Sequence, residues 1–204
     1  MPNNLKGVKM KKVYFVLTFV ALAIATVLIA QSNPKIPKGW FVAGSKPTEY
    51  EAGQDKSVFQ NGQISAFLKS KEPKNNEFGT LMQYISSENY IGKRLRMTGY
   101  IKSESVEGWS GMWMRVDGEN GKQLGFDNMQ ERAIKGTTDW KKYEIVLDVT
   151  PGSKGLGYGI LLNGKGKVWF DNIKIEEVEK TIPATNTIKE NNNPKQPVNL
   201  DFEE

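Results

Sequence analysis

Two tryptophans and an arginine stand close together in the stretch WSGMWMRVD, at positions Trp109, Trp113 and Arg115. Apolar residues alternate with them, so a strand with its period of two would direct Trp113 and Arg115 away from the core. An outward indole ring can stack on the apolar face of a pyranose, and a guanidinium group can donate hydrogen bonds to its hydroxyls. The stretch therefore predicts a ligand-binding face. An alternative of equal weight is that a loop covers Trp113 as part of a second small core.

Polar side chains that can orient a ligand follow in the stretch GFDNMQER, which contains Asn128 and Gln130. Amide groups of this kind fix the orientation of a small molecule in a pocket. A turn whose side chains bond their own backbone explains the same residues equally well. Gln83 is a weaker candidate for ligand binding, and it is expected to project opposite to its two neighbours in the strand.

The chain contains neither cysteine nor histidine, which excludes several kinds of chemistry. Disulfides, thiolate nucleophiles, Ser-His-Asp triads, the usual zinc ligands and a lipid-modified cysteine are ruled out. Glycoside hydrolysis would need two carboxylates about 5–10 Å apart in a cleft. The candidate acids belong to no distinguishing motif; they are Glu104, Glu107, Asp117, Glu119 and Asp127. We therefore predict that the protein is not an enzyme.

The net charge of +5 is concentrated at the N-terminus. Lys6, Lys9, Lys11 and Lys12 precede an apolar run, and no acidic residue occurs in the first thirty positions. Of the 28 basic residues, the remaining 24 nearly balance the 23 acidic ones. The rest of the chain therefore lacks the basic surface expected of a nucleic-acid-binding protein.

The apolar run, Val13–Ala30, contains no charged residue. As a helix it would be about 27 Å long, close to the roughly 30 Å hydrocarbon core of a bilayer. Lysines in the preceding segment, 1–12, predict a cytoplasmic N-terminus and a single-pass anchor in the cell membrane, with the remainder outside. The alternative is a signal peptide whose cleavage would release a secreted protein.

The remainder has the pattern of an all-β domain at 39–179, between a linker at 31–38 and a flexible linker at 180–196. Period-two segments separated by turn residues predict a two-sheet antiparallel β-sandwich of the jelly-roll type. The predicted strands are Ser57–Gln60, Ile64–Ser70, Phe78–Ser86, Leu95–Glu104, Gly111–Asp117, Gln123–Asn128, Lys141–Val149, Gly157–Asn163 and Lys167–Glu177.

Four local features are also expected from the pattern. Asn61-Gly62 is predicted to form a tight hairpin turn between the first two strands. The stretch SSENYIGKR is the best place for a single helical turn, and the alternation in VWFDNIKI changes phase near Asp171-Asn172, which indicates a bulge. In RLRMTGYIKS, Leu95, Met97 and Ile101 are expected to face the core.

Several stretches resemble a bacterial β-sandwich family, the galactose-binding-like jelly rolls that include carbohydrate-binding modules. They are GWFVAGSKPTEYEAGQD, NGQISAFLKS, GKRLRMTGYIKS, WSGMWMRVDG, GTTDWKKYEIVLDV and GKVWFDNIKIEEV, and they extend over about 39–178. A closely similar domain occurs with AraC-type transcriptional regulators. The resemblance implies a non-catalytic domain that binds carbohydrate or a cell-wall glycan. The alternatives are a structural or protein-interaction module and a sensing domain linked to transcriptional regulation.

The resemblance also gives a meaning to the terminal stretch NLDFEE. In the family, a strand of the form N-x-x-F-E often opens the domain, so 197–204 is expected to fold back into that position. It could instead pair with another molecule, giving a strand-swapped oligomer, or form an unstructured tail. Many relatives hold a structural calcium ion between that strand and the last one, which implies Asp171 and Glu203 as ligands. Two solvated acids, or an aspartate that caps a turn, explain these residues without a metal.

Overall fold

A computed structural model describes residues 35–73 and 77–188, together with Gln196. Within these residues it contains nine β-strands and four short 3₁₀ turns. The strands are β1 (Phe41–Gly44), β2 (Tyr50–Asp55), β3 (Ser65–Ser70), β4 (Phe78–Ser86), β5 (Arg94–Asp117), β6 (Gln123–Asp127), β7 (Ile134–Asp148), β8 (Gly155–Asn163) and β9 (Lys167–Val178). The 3₁₀ turns are Pro47–Glu49, Glu88–Tyr90, Glu119–Gly121 and Gln130–Arg132.

Strand β5 divides the structure into two layers. The order of paired strands is β1-β4-β8-β5-β9-β3-β2, and β6 and β7 pair with β5 beside this path. Residues 109–117 of β5 pair with β8, whereas residues 94–104 pair with β9. We call β1, β4, β8, 109–117 and β6 the cleft sheet, and β2, β3, β9, 94–104 and β7 the back sheet. Since these pairings are antiparallel, the prediction of an all-β antiparallel sandwich is confirmed.

The hydrophobic core lies between the two sheets. Its most deeply buried side chains come from both layers and include Leu68, Leu81, Met97, Ile145, Ile160 and Leu162. Leu95, Met97 and Ile101 face this core, as the alternation in their segment predicts. On the opposite face, Arg94 and Arg96 form ion pairs with Asp148 and Glu176. The alternation of apolar and charged residues therefore decides which face each strand buries.

The structure differs from the predicted strands at the beginning of the domain. Ser57–Gln60 is not a strand but part of the connection 56–64 between β2 and β3, and Asn61-Gly62 is not a tight hairpin turn. The backbone N–H groups of Ser57 and Val58 bond the Asp55 carboxylate instead, which gives this connection its own internal structure. Strands β1 and β2 escaped prediction because FVAG and YEAGQD show no clear alternation.

Two smaller predictions are confirmed. Glu88–Tyr90 forms the expected single helical turn. A register shift in the pairing of β5 with β9 lies between Thr98 and Tyr100, and Asn172 opposite it has a φ of 52°. This is the bulge expected at Asp171-Asn172.

The segment that follows β9 does not behave as the flexible linker expected for 180–196, at least in its described part. Residues 179–188, which we call the strap, lie along β7 and β6. Thr185 donates its N–H to the carbonyl of Val146 at 2.8 Å, and Thr187 donates its N–H to the carbonyl of Phe126 at 2.8 Å. The N–H of Phe126 in turn bonds Asn186 Oδ1 at 3.0 Å. The strap therefore covers polar backbone groups that these strands would otherwise present to water.

Two predictions fall outside the described residues. These are the apolar run Val13–Ala30 and the terminal stretch 197–204 with Glu203. Among the residues that are described, no helix has the length and apolar character needed to cross a membrane.

Candidate functional site

The outer face of the cleft sheet carries an open cleft of about 370 Å³. Residues from all five members of this sheet line it, so its shape depends on their register. The lining consists of Ala43, Gly44, Phe78, Thr80, Met82, Trp109, Trp113, Arg115, Phe126, Asn128, Leu161 and Asn163. It is therefore mostly apolar, with a few polar groups at its rim, which is the usual composition of a small-molecule site.

Trp113 forms part of the floor of the cleft. Its side chain leaves β5 on the outer face of the sheet, as predicted, but only 8% of the residue is exposed. Its Nε1 donates a hydrogen bond to Thr80 Oγ1 at 2.7 Å, and the Thr80 hydroxyl donates to the carbonyl of Ile160 at 2.8 Å. Met82 and Leu161 pack against Trp113 in a small cluster separate from the main core. The indole ring is therefore held rigidly, as the floor of a cleft and not as an exposed plate.

Glycines in β8 make room for this arrangement. A Cβ atom on Gly157 would lie 3.2 Å from Cη2 and Cζ3 of Trp113. A Cβ atom on Gly159 would lie 2.3 Å from the carbonyl oxygen of Leu81, which the sheet cannot accommodate. Because β8 offers no side chains at these positions, the indole ring can rest directly on the backbone of the sheet.

Two of the acids named from the sequence, Asp117 and Asp127, are paired with arginines. Arg115 Nη2 donates to Asp117 Oδ2 at 2.9 Å, and 7% of the Asp117 side chain is exposed. Arg132 Nη2 lies 2.6 Å from Asp127 Oδ2, and the Asp127 side chain is fully buried. These carboxylates serve ion pairs within the fold, an arrangement that does not resemble the free pair a glycosidase uses.

The candidate residues from the sequence divide into three groups. Trp109, Trp113, Arg115 and Asn128 come together in the cleft. Gln130 is exposed in a 3₁₀ turn outside it, where its N–H bonds Asn128 Oδ1 at 3.1 Å, so the self-bonded turn describes it better.

Gln83 lies away from the cleft, in the third group. Its side chain is on the core side of β4, where Oε1 accepts a hydrogen bond from the hydroxyl of Tyr158 at 2.5 Å. The prediction that it projects opposite to Met82 and Tyr84 holds, but this places it on the face of the sheet opposite the cleft.

Asp171, the described one of the two calcium ligands that the resemblance implies, is bound by backbone N–H groups. The N–H groups of Gln60 and Asn61 donate to Asp171 Oδ2 at 2.9 and 3.2 Å, and the N–H of Asn172 donates to Oδ1. No group of three or more acidic residues that could hold a metal occurs in the described part of the chain. Asp171 there fixes the connection between β2 and β3.

Sequence reasoning missed several lining residues. Thr80, Phe126 and Asn163 belong to the cleft, yet each lies in a strand with nothing to distinguish it from a structural residue. The glycines at positions 155, 157 and 159 were a usable signal. Glycine at every second position leaves one face of a strand bare, which marks a place where other groups approach the backbone closely.

No protein-family model matches the chain. The chain is similar to the uncharacterised HTH-type transcriptional regulator YbfP of Bacillus subtilis (strain 168), with 42% identity over 168 residues. The match covers 82% of this chain and 57% of that protein, so the chain spans little more than half the length of its relative.

Solved structures with a similar fold include carbohydrate-binding modules. The CBM22-1 xylan-binding domain of Paenibacillus barcinonensis Xyn10C gives a TM-score of 0.52 at 16% identity, over 72% of this chain and 90% of that domain. The C-terminal family 22 module of Clostridium thermocellum Xyn10B gives 0.50 at 12% identity, over 75% of this chain and 90% of that one. At such identities the likeness concerns the fold. It confirms the jelly-roll architecture that the resemblance implies.

An enzyme also contains this fold. The enzymatically active domain of tailspike protein 4 from bacteriophage CBA120 gives a TM-score of 0.53 at 13% identity. The match covers 69% of this chain but only 20% of that one. The shared part is therefore one portion of a much larger protein, and the name of the whole does not transfer to it.

Proposed function

We propose that this protein is a non-catalytic carbohydrate-binding domain whose ligand occupies the cleft. The observation that carries the proposal is the cleft itself, in which a rigid indole floor is combined with polar groups at the rim. Arg115, Asn128 and Asn163 lie around an otherwise apolar surface. Sugars present apolar C–H faces together with a ring of hydroxyls, and such a surface complements both.

The pairing of the acids supports the non-catalytic part of the proposal. Asp117 and Asp127 are held by Arg115 and Arg132, so neither is placed to act as a general acid or nucleophile. The similarity of fold to xylan-binding modules supports carbohydrate as the ligand class. A scaffold that binds no small ligand is the competing view, and the low exposure of Trp113 is the observation in its favour.

Position in the cell is proposed from the sequence. Val13–Ala30 would hold the domain on the outer side of the cytoplasmic membrane, or would be removed on secretion. A domain in that position would meet cell-wall or environmental glycans.

A second candidate function follows from the relative in Bacillus subtilis. Because that protein is described as a transcriptional regulator and this chain matches 57% of it, the domain could serve as the ligand-sensing part of a regulatory system. The two functions share the same cleft. They differ in whether ligand binding in the cleft changes the activity of a partner protein.

The proposal is tested by thermal unfolding of the full chain against a panel of plant and bacterial cell-wall oligosaccharides. A ligand at a hundred times its Kd stabilises the folded state by about 2.7 kcal/mol. Trp109→Ala should remove the shift, because Trp109 lines the cleft. Trp140→Ala is the matched control, since Trp140 is also half-buried but lies outside the cleft.

A shift that is lost with Trp109→Ala and kept with Trp140→Ala supports binding in the cleft. If no oligosaccharide shifts the transition of a cooperatively unfolding wild-type protein, the scaffold view replaces the proposal. A shift that survives in both variants would place the binding surface elsewhere.

A further inference from the structure

Tyr84 lies beside the cleft but is not part of its lining. The residue is 50% exposed, an unusual degree for an aromatic side chain within a strand of the sheet. It pairs with Gly157, which pairs with Arg115 on the other side, so these three form one row across the cleft sheet. Tyr84 therefore shares the outer face with Trp113.

The ring of Tyr84 lies flat on β8 because of Gly155. A Cβ atom on Gly155 would be 2.1 Å from the hydroxyl oxygen of Tyr84 and 2.4 Å from Cζ. No side chain larger than glycine is compatible with this position of the ring. One face of Tyr84 thus rests on bare backbone while the residue remains half exposed.

Tyr84 and Trp113 are direct neighbours along this strip of glycines. A Cβ atom on Gly157 would be 3.4 Å from Cδ2 of Tyr84 and 3.2 Å from Cζ3 of Trp113. Both rings therefore border the same glycine. Gly155 and Gly157 are two residues apart, roughly 7 Å along an extended strand, so the two rings form one continuous aromatic floor.

The hydroxyl of Tyr84 lies near a charged group, Asp117. Burial and the neighbouring carboxylate of Asp117 raise the pKa of Tyr84. The Asp117 carboxylate near Tyr84 is itself bound by Arg115, whose Nη2 donates to Oδ2 at 2.9 Å.

We propose that Tyr84 is a second binding subsite and that the ligand is an oligosaccharide of at least two sugar units rather than a single sugar. This inference rests on the proposed function of the cleft. One unit would stack on Tyr84 at the open end, and the next would enter the cleft over Trp113. The site then follows β8 from Gly155 to Asn163, a length of roughly 26 Å.

Exposure of another aromatic residue on the same face supports an extended site. Phe41 pairs with Met82 and is exposed. Since directly paired residues share a face, Phe41 also lies on the outer side of the cleft sheet. An apolar surface that continues beyond a cleft of about 370 Å³ is expected where the ligand is longer than the cleft.

The test compares ligand lengths, with Kd measured calorimetrically on the full chain. The probes are xylo-, cello- and β-1,4-galacto-oligosaccharides of one to six units. Tyr84→Ala should weaken binding of the longer members roughly tenfold, since it removes one stacking contact. Binding of a single sugar in the cleft should change less than about twofold. Phe59→Ala is the control, because Phe59 is a comparably exposed aromatic residue outside the cleft.

Two further variants test separately whether binding depends on the position of the Tyr84 ring and on its hydroxyl. Gly155→Ala keeps Tyr84 but displaces its ring, and it should reproduce the loss seen with Tyr84→Ala. Tyr84→Phe keeps the stacking surface and should bind nearly as the wild type does. Thermal unfolding of each variant shows whether it remains folded, and Tyr84→Ala tests the inference even if Gly155→Ala does not fold.

The outcomes distinguish this inference from the function on which it rests. If the wild type binds sugars but affinity does not increase with length, or Tyr84→Ala binds the long probes normally, the second subsite is refuted while the cleft stands. If the wild type binds none of the probes at any length, both are refuted. Only a loss that grows with ligand length and is absent in Phe59→Ala supports the inference.

Discussion

The two outer faces of the sandwich carry similar residues, which border a cleft on one face and are covered by other side chains on the other. On the cleft sheet, Trp113 and Tyr84 lie beside Arg115 and border an open cleft. On the back sheet, Phe67 and Trp169 pair with each other across β3 and β9. Each face thus has a cation beside a pair of aromatic rings. On the cleft sheet the rings border an open cleft, whereas on the back sheet this pair of rings is covered by the domain's own side chains.

On the back sheet, Lys167 and Asp55 contact the two rings directly. Lys167 Nζ lies 4.6 Å from the ring centroid of Phe67 and 4.2 Å from that of Trp169. The Asp55 carboxylate accepts a hydrogen bond from Trp169 Nε1 at 2.8 Å and pairs with Lys167 at 3.3 Å. We call these four residues the back-sheet cluster. The ammonium group of Lys167 lies over both rings of the cluster, so these ring faces are occupied by a side chain of the domain itself.

The comparison shows that an outward aromatic residue in a strand does not identify a binding site. What distinguishes the two faces is the set of residues that lie next to each ring. Beside Trp113 the neighbouring strand carries glycine, so the ring lies against the backbone of that strand at the floor of the cleft. Beside Trp169 the same strand carries a lysine two residues away, and that lysine folds over the ring.

The largest effect is expected when one tryptophan on each face is removed. Trp113→Ala and Trp169→Ala should each lower the free energy of unfolding by about 3–5 kcal/mol, because both rings are buried. Only Trp113→Ala should also abolish sugar binding, with a loss of about 2 kcal/mol or more. Chemical denaturation and calorimetric titration of both variants give the two quantities. Equal loss of affinity in both would remove the distinction between the faces.

A second prediction concerns the response of the back-sheet cluster to acid. Burial would raise the pKa of Asp55, but hydrogen bonds from Ser57 and Trp169 outweigh it and hold the pKa well below its usual range. A lowered pKa in the folded state stabilises the protein above the unfolded pKa of about 3.9, and this contribution is lost as the pH falls further.

Asp55→Asn should therefore flatten the fall in stability below about pH 4. At neutral pH the same variant should cost about 2 kcal/mol, since hydrogen bonds to a charged group are lost. Urea denaturation at a series of pH values measures both effects. If the slope below pH 4 is unchanged, Asp55 does not hold the cluster in the way described.

The smallest effect is expected from a substitution in the strap. It should alter the cleft and leave the back-sheet cluster unchanged. Thr187 Oγ1 donates to the carbonyl of Phe126 at 2.8 Å, and Phe126 forms a wall of the cleft. Thr187→Val should lower stability by about 1 kcal/mol and weaken sugar binding a few-fold. Thr181→Val, earlier in the strap, is the control. Loss of stability without any change in Kd would show that the strap does not shape the cleft.

Much of the fold could be predicted from the sequence, because strict alternation identifies strands and the face each one buries. The limits have physical causes. The chain bends between Glu104 and Gly111, where Ser105 has a φ of 51°, but it stays paired on both sides of the bend, so two predicted strands are one, β5. The strap has too few apolar residues to be recognised as part of the domain, since its contacts are hydrogen bonds made by Thr185, Asn186 and Thr187.

The candidate site was predictable only in part, for a related reason. The outward direction of Trp113 and Arg115 follows from the period of a single strand. Where the indole ring then lies depends on Gly157 and Thr80, which come from two other strands and reach it only through the pairing register. Tyr84 was overlooked because its value depends on the same glycines.

The central claim, that the cleft and not the back-sheet cluster binds sugar, is tested most directly by the indole N–H signals of the five tryptophans in a ¹H–¹⁵N NMR spectrum. Single Trp→Phe variants assign the signals, and an oligosaccharide from the panel is then titrated into the full chain. The account predicts that the signals of Trp109 and Trp113 shift progressively while that of Trp169 stays in place. A titration that moves Trp169 and leaves Trp113 unchanged would contradict it.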